Sequence, residues 1–343
     1  MDKRVIFAVA GSGKTTHIIS KLTLDKRFLI LTYTTNNIQT LRSSIIRKFG
    51  YFPENIKLLS YFVFLNSFCF KPLLSHCVKS KGINWKQPSA FTLRLKRDNP
   101  KFYRDNNFRL YHNRIAKLFD FKNVLPDINN RIEKYFDCLF IDEIQDFAGH
   151  DFNLLKSIAK ANCEILFVGD FYQHTFDTSN DGNVNSGIFK DYNSYKKLFQ
   201  DMGLTVDTTT LQESFRCSQS VCDFIQNNIG ISISAKTDRV SDIKIIESQS
   251  EVDTIIADNS IVKLFYRENS KYDCYSQNWG SSKGINHFND VCVVLNKTTK
   301  ELFDKQQLAM LKPQTKNKLY VACSRANNHL YFVSYEFLKK WSK

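Results

Sequence analysis

The stretch "AVAGSGKTT", residues 8–16, follows the apolar run "RVIFAVA" and leads into a helical pattern from about Lys14. A buried strand, a glycine loop and a helix in that order constrain a chain strongly. They point to an α/β fold whose first strand delivers a phosphate-binding loop. Gly11 and Gly13 let backbone N–H groups turn inward around an anion without a Cβ clash. Lys14 supplies a mobile ammonium for the outer phosphates, and the Thr15 hydroxyl suits Mg²⁺. Ala10, Gly11, Ser12, Gly13, Lys14, Thr15 and Thr16 are therefore the candidate ATP contacts. Ala8 stands where the general motif has glycine.

Further apolar runs extend the pattern. "FLILTY", "DCLFIDE" and "EILFVGD" read as buried strands, and "HDFNLLKSIAKAN" between the last two reads as a helix. Continuous apolar runs alternating with helices indicate a parallel sheet covered on both faces. Ligands of such sheets bind beyond the carboxyl ends of the strands. After a polar stretch, "DGNVNSG", the pattern resumes at "LTVDTTTL" and continues through "DVCVVL" and "NKLYVACS". The expected organisation is a first lobe over residues 1–62 and 131–203, a small, mainly helical insert over 63–130, and a second lobe over 204–343.

Two strand ends carry acids and amides of interest. In "LFIDEIQDF", Asp142 can hold Mg²⁺ through water, and Glu143 can take a proton from an attacking water or orient it. In "LFVGDFYQHTF", Gln173 offers a neutral amide that can sense a γ-phosphate. Arg216 in "LQESFRCSQS" and Arg325 in "VACSRANNHLYF" are candidates for stabilising a transferring phosphoryl group. Each residue alone has a plain surface reading; together they describe an NTPase.

Composition narrows the partners. The formal net charge is +14, and residues 79–117 hold eleven Lys or Arg against two Asp. Trp85, Phe91, Phe102, Tyr103, Phe108 and Tyr111 lie among those cations. Cations that neutralise phosphates, interleaved with rings that stack on bases, describe a nucleic-acid surface; a solvated face over a packed core is the plain alternative. Arg94, Lys96 and Arg97 are the candidate phosphate contacts. The nine cysteines form no CxxC pair, which favours reduced thiols over disulfides or a metal cluster. No apolar run approaches a membrane span, and the N-terminal residues do not read as a signal peptide, so a soluble, cytoplasmic protein is expected.

These segments, in this order, resemble the superfamily 1 DNA helicases of the UvrD/Rep type. "AVAGSGKT" is similar to that family's first motif, which carries alanine at its start, as Ala8 does here. "LTYTTNNIQTLRSSI" looks like the next motif, and the resemblance gives Tyr33 and Thr34 a contact with single-stranded DNA. "DEIQD" and "VGDFYQ" match two further motifs. "LQESFRCS" resembles the motif with a first arginine finger, Arg216, preceded by an adenine-stacking aromatic, Phe215. "SSKGINHFNDVCVVL" looks like the Lys-Gly motif, which would place Gly284 at the nucleotide, and "KLYVACSRANNHLYF" is similar to the last motif, with Arg325 as second finger.

The resemblance implies two RecA-like P-loop NTPase lobes that close on ATP and Mg²⁺ and reopen on hydrolysis. It implies 3′ to 5′ movement along single-stranded DNA or from a single/double-strand junction. It also has departures. The family's adenine-reading glutamine ahead of the loop has no counterpart here. Phe176 holds the first DNA-stacking position after "VGDFYQ", but "DTSNDG" replaces what should follow. In the Lys-Gly motif the usual Thr-x-His becomes Asn278-Trp279-Gly280, and the usual Glu becomes Asn286; Trp279 stands there either as a stacking platform or as a packed ring. The short interval from Arg216 to Lys283 leaves no room for the family's large second accessory subdomain. Two other readings stay open: a regulatory NTPase subunit controlling a partner such as a nuclease in a repair or phage-defence complex, and an RNA helicase of the same superfamily.

Overall fold

A computed structural model describes residues 1–175 and 181–342. The chain divides into two compact units. One comprises Met1–Ile6, Thr15–Gly169 and the segment ending at Asp207; the other comprises Phe7–Lys14, Asp170–Thr175 and the segment from Thr208 onward.

The first unit is built on a six-stranded sheet. Its spatial order is Ile56–Ser60, Phe28–Thr32, Cys138–Asp142, Glu164–Gly169, Lys3–Phe7, Thr205–Asp207. Neighbouring strands pair in parallel, as in Phe28 with Cys138 and Leu139 with Ile165. Every residue of Phe28–Thr32 and of Cys138–Asp142 is buried. This is why these strands read as unbroken apolar runs rather than as alternations. The helix Thr35–Phe49 connects Phe28–Thr32 to its neighbour Ile56–Ser60. Thr34 caps its N-terminus by accepting the Asn37 N–H, and Gly50, at φ +82°, ends it.

The strand Thr205–Asp207 was expected to open the second lobe. It instead pairs with Arg4–Ile6 at the edge of the first sheet. The helix Tyr192–Asp201 ends at Gly203, whose φ of +82° turns the chain back within a few residues. The boundary expected at 204 therefore moves past Asp207.

The segment 63–130 is helical mainly toward its two ends. Ser60 caps a helix that begins at Tyr61, widens to a π-helical stretch over Phe64–Phe70 and continues over Lys71–Leu74. Helices return at Ile115–Phe121 and Leu125–Tyr135. Between them lie short 3-10 turns and a two-stranded parallel ladder, Gly82–Asn84 with Arg109–Tyr111. A buried ion cluster holds this region. Arg114, with no exposed surface, forks onto both oxygens of Asp181 at 3.1 Å and donates to Thr92 Oγ1 and the Phe102 carbonyl. Lys117 reaches the same carboxylate. Burial pushes the Asp181 carboxyl up, but these hydrogen bonds and charges outweigh it and hold it below its ordinary range. Two of the cations counted toward a phosphate-binding surface are thus committed to the interior.

The second unit carries a five-stranded sheet ordered Ile243–Ile246, Leu330–Ser334, Asp290–Leu295, Ile261–Phe265, Ser276–Asn278, also parallel. Val262, Leu264, Val291, Val293 and Phe332 pack from it onto Leu319, Tyr320 and Cys323. Those three lie on the helix Pro313–Cys323, so the apolar run "KLYVACS" is helical. Proline at its first position starts that helix without losing an internal hydrogen bond. Among the described residues no helix is long and apolar enough to cross a membrane, and no cluster of His, Cys, Asp and Glu could hold a metal ion.

Candidate functional site

The phosphate loop leaves the strand Lys3–Phe7 and opens the helix Lys14–Ser20. Gly11 and Gly13 adopt φ of +72° and +84°, a region closed to most side chains. Gly11 is further constrained by its neighbours: a Cβ there would fall 2.6 Å from Arg216 Cβ and 2.7 Å from Ser214 Oγ. The loop is tied down on several sides. Val9 donates to the Leu211 carbonyl, Phe215 donates to the Gly11 carbonyl, and Ser12 Oγ donates to the Val9 carbonyl, each at 2.9 Å.

Ala10 departs from expectation. It is fully buried, and its N–H donates to the Tyr320 hydroxyl at 2.8 Å. That amide is committed to holding the loop and is not turned toward a phosphate. Lys14 and Thr15 are partly exposed at the start of the helix, and Thr16 is exposed.

Asp142 ends the strand Cys138–Asp142, and Glu143 follows at φ +59°. A left-handed glutamate is uncommon and costs energy that the surroundings must supply. Here the Glu143 N–H donates to Asp142 Oδ1 at 3.0 Å, and Gln145 Nε2 donates to Glu143 Oε2. Both carboxylates are buried, at 3% and 7% exposure. Gly169, the last residue of the neighbouring strand, allows this packing, because a Cβ there would lie 2.6 Å from Ile144 Cγ1. The two acids and Thr15 thus follow carboxyl ends of strands in one parallel sheet.

The loop after Gly169 forms a second cluster. Asp170, 1% exposed, accepts the Tyr172 N–H on Oδ1 and Gln173 Nε2 on Oδ2, the latter at 2.7 Å. The Tyr320 hydroxyl donates to that same Oδ2 at 3.0 Å. One buried hydroxyl therefore bridges Ala10 of the phosphate loop and the carboxylate that aims Gln173. Burial, then the Asp170 charge, raise the Tyr320 phenol far above its ordinary range, so it stays a donor. Sequence reading missed Tyr320. It lies within a motif that was singled out, but its role depends on a contact made from the far end of the chain.

Arg216 donates to the Ser324 carbonyl at 3.2 Å and to Asn286 Oδ1, and its own carbonyl accepts from Arg239. Arg325 is 2% exposed; it donates to the Val321 and Ile285 carbonyls at 3.2 and 3.1 Å. Both guanidiniums are therefore held by backbone carbonyls near Ser324. Cys217, beside Arg216, has its thiol pulled down, first by a hydrogen bond with Cys222 and, against the effect of burial, also by the Ser214 hydroxyl and the two arginines. Phe215 is 60% exposed. Gly284 adopts φ +81°.

The nucleic-acid candidates divide. Tyr33 is half-buried against Phe62 and Tyr61. Thr34 caps a helix. Arg94, Lys96 and Arg97 are exposed. Trp279 has no exposed surface, and its indole N–H donates to the Leu264 carbonyl at 2.8 Å. It is a core ring and presents no face to a base. Phe176 lies outside the described residues.

A parallel sheet with a glycine phosphate loop after one strand and an Asp-Glu pair after another defines a P-loop nucleotide-binding protein. The chain belongs to the viral superfamily 1 RNA helicase core domain family, whose model matches residues 113–334, and an AAA domain model matches residues 2–177. An arterivirus nonstructural protein 10 helicase solved with DNA shares the fold, with a TM-score of 0.52 at 11% identity over 96% of this chain and 60% of that one. A second arterivirus nonstructural protein 10 structure gives a TM-score of 0.51 at 12% identity over 99% and 62%. The chain thus spans about three fifths of the length of these helicases. No curated protein matched by sequence. Membership stands at superfamily 1, and the matching families do not single out the UvrD/Rep type.

Proposed function

We propose that this chain is an ATP- and Mg²⁺-dependent motor on single-stranded nucleic acid, with DNA as track and 3′ to 5′ as direction. In this reading Lys14 holds the β- and γ-phosphates, and Thr15 and Asp142 hold Mg²⁺ in their coordination sphere. Glu143 orients the attacking water and accepts its proton. Arg216 and Arg325 stabilise charge on the transferring phosphoryl group, and Phe215 packs on the base. Gln173, aimed by Asp170, relays the loss of the γ-phosphate toward Tyr33 and Thr34.

The observation that carries this reading is that Thr15 and the Asp142–Glu143 pair, all in the first unit, follow carboxyl ends of strands in one parallel sheet. Glu143 is held there in a strained, hydrogen-bonded geometry that a merely solvated acid would not need. An arterivirus helicase of this fold has been captured with DNA, which favours DNA; the family's description as an RNA helicase core favours RNA as a second reading.

ATP turnover with and without single-stranded oligonucleotides of both kinds is the test. We expect many-fold stimulation by single-stranded DNA and loss of turnover in Glu143→Gln and Lys14→Ala, with nucleotide binding kept in the former. Stimulation by RNA alone selects the second reading. Stimulation by neither polymer sinks the motor.

A further inference from the structure

We infer that Trp85 is a stacking platform for an unpaired base, extending the nucleic-acid track from Tyr33 onto the basic insert. The inference rests on the motor reading above and adds to it a site that no motif assigns.

Trp85 is 61% exposed, unusual for the largest apolar side chain, and it is not a loosely hung one. It directly follows the short strand Gly82–Asn84. Asn84, buried beneath it, pins the backbone on both sides: Oδ1 accepts the Lys86 N–H at 3.0 Å, Nδ2 donates to Asp105 at 2.8 Å, and its carbonyl lies 3.2 Å from His112 Nδ1. The indole itself is braced. Phe62 meets it at 4.6 Å in an edge-to-face contact, and His112 lies 5.9 Å away with its ring inclined 29° to the indole. Such a ring has already lost the rotamer freedom that binding would otherwise cost.

The position fits a strand of nucleic acid. Phe62 also meets Tyr33 edge-on, at 5.6 Å. Tyr33 and Trp85 therefore flank a single buried ring, a separation of a few nucleotides in a strand that rises about 3.4 Å or more per nucleotide. Lys86, Arg94, Lys96 and Arg97 are exposed in the same insert and supply the charge that phosphates require. Charge complementarity selects a polyanion over an apolar protein partner, and an exposed indole selects one whose bases are unpaired.

The full chain is titrated with oligo-dT and with oligo-U, following tryptophan emission. Of the three tryptophans, Trp279 is buried and Trp85 is the most exposed, so stacking should quench Trp85 emission. We expect quenching in the native protein and none in Trp85→Phe. Trp85→Ala should weaken binding about ten-fold, the scale of one base–aromatic stack. Trp85→Phe should recover most of that affinity. ATP turnover without nucleic acid should not change. The slope of affinity against salt should be unaltered in Trp85→Ala but shallower when Arg94, Lys96 and Arg97 are all changed to Ala.

Binding without quenching, or unchanged affinity in Trp85→Ala while Tyr33→Ala weakens it, overturns the platform and leaves the motor standing. No binding of either polymer by the native chain overturns both.

Discussion

His150 shows how burial alone sets a residue's chemistry. Its ring is 6% exposed, and neither ring nitrogen has a hydrogen-bond partner among the described residues. Desolvation, then the nearby Lys117, pull its pKa down to about 4; Arg97 adds to this, while Asp181 and Asp120 oppose it. The unfolded chain would take up a proton near pH 6.5, but the folded one resists until about pH 4. Stability should therefore be complete above pH 6.5 and fall as the solution is acidified toward 4, by up to about 3 kcal/mol. Thermal melts across that range should show the loss, and His150→Gln should flatten it. Single residues also mark what was legible in sequence. Lys14 and Thr15 were readable because their loop is contiguous. Trp279 was not, because a tryptophan in a motif reads alike whether it faces a base or the core.

At the level of elements, the helix Pro313–Cys323 carries more than its own motif. Tyr320 on it holds both Ala10 and Asp170. Tyr320→Phe keeps the ring and its packing but leaves a buried N–H and a carboxylate oxygen short of a partner, a loss of about 1–3 kcal/mol. We expect a lower Tm, nucleotide binding largely kept, and slower single-turnover hydrolysis as Asp170, the anchor of Gln173, loses one of the bonds that fix it. A lowered Tm with unchanged hydrolysis would confine Tyr320 to structure. Elements also explain which parts of the fold escaped sequence reading. The long apolar runs of the first sheet were evident. Thr205–Asp207 was read with the lobe that follows it, because its true partner lies at the other end of the unit's sequence. Ile261–Phe265 hides a fully buried lysine, Lys263, whose ammonium donates to the Asp258 and Ile261 carbonyls. A lysine at the centre of a five-residue run disguises a core strand.

For the whole molecule, the charge of +14 is spent unevenly, with Arg114 and Lys117 drawn inside and Arg94, Lys96 and Arg97 left outside. The division into units has a temporal side as well. The loop Phe7–Lys14 groups with the segment from Thr208 onward, and its backbone is bonded to the Leu211 carbonyl, the Phe215 N–H and the Tyr320 hydroxyl. Chains fold as they are made, N-terminus first. The phosphate loop thus leaves the ribosome about three hundred residues ahead of Tyr320, the anchor that fixes it. A chain ending before Pro313 should keep most of its helix signal in far-UV circular dichroism yet show no thermal shift with ATP. Whatever the loop binds, it takes its final shape only after the helix Pro313–Cys323 has been made.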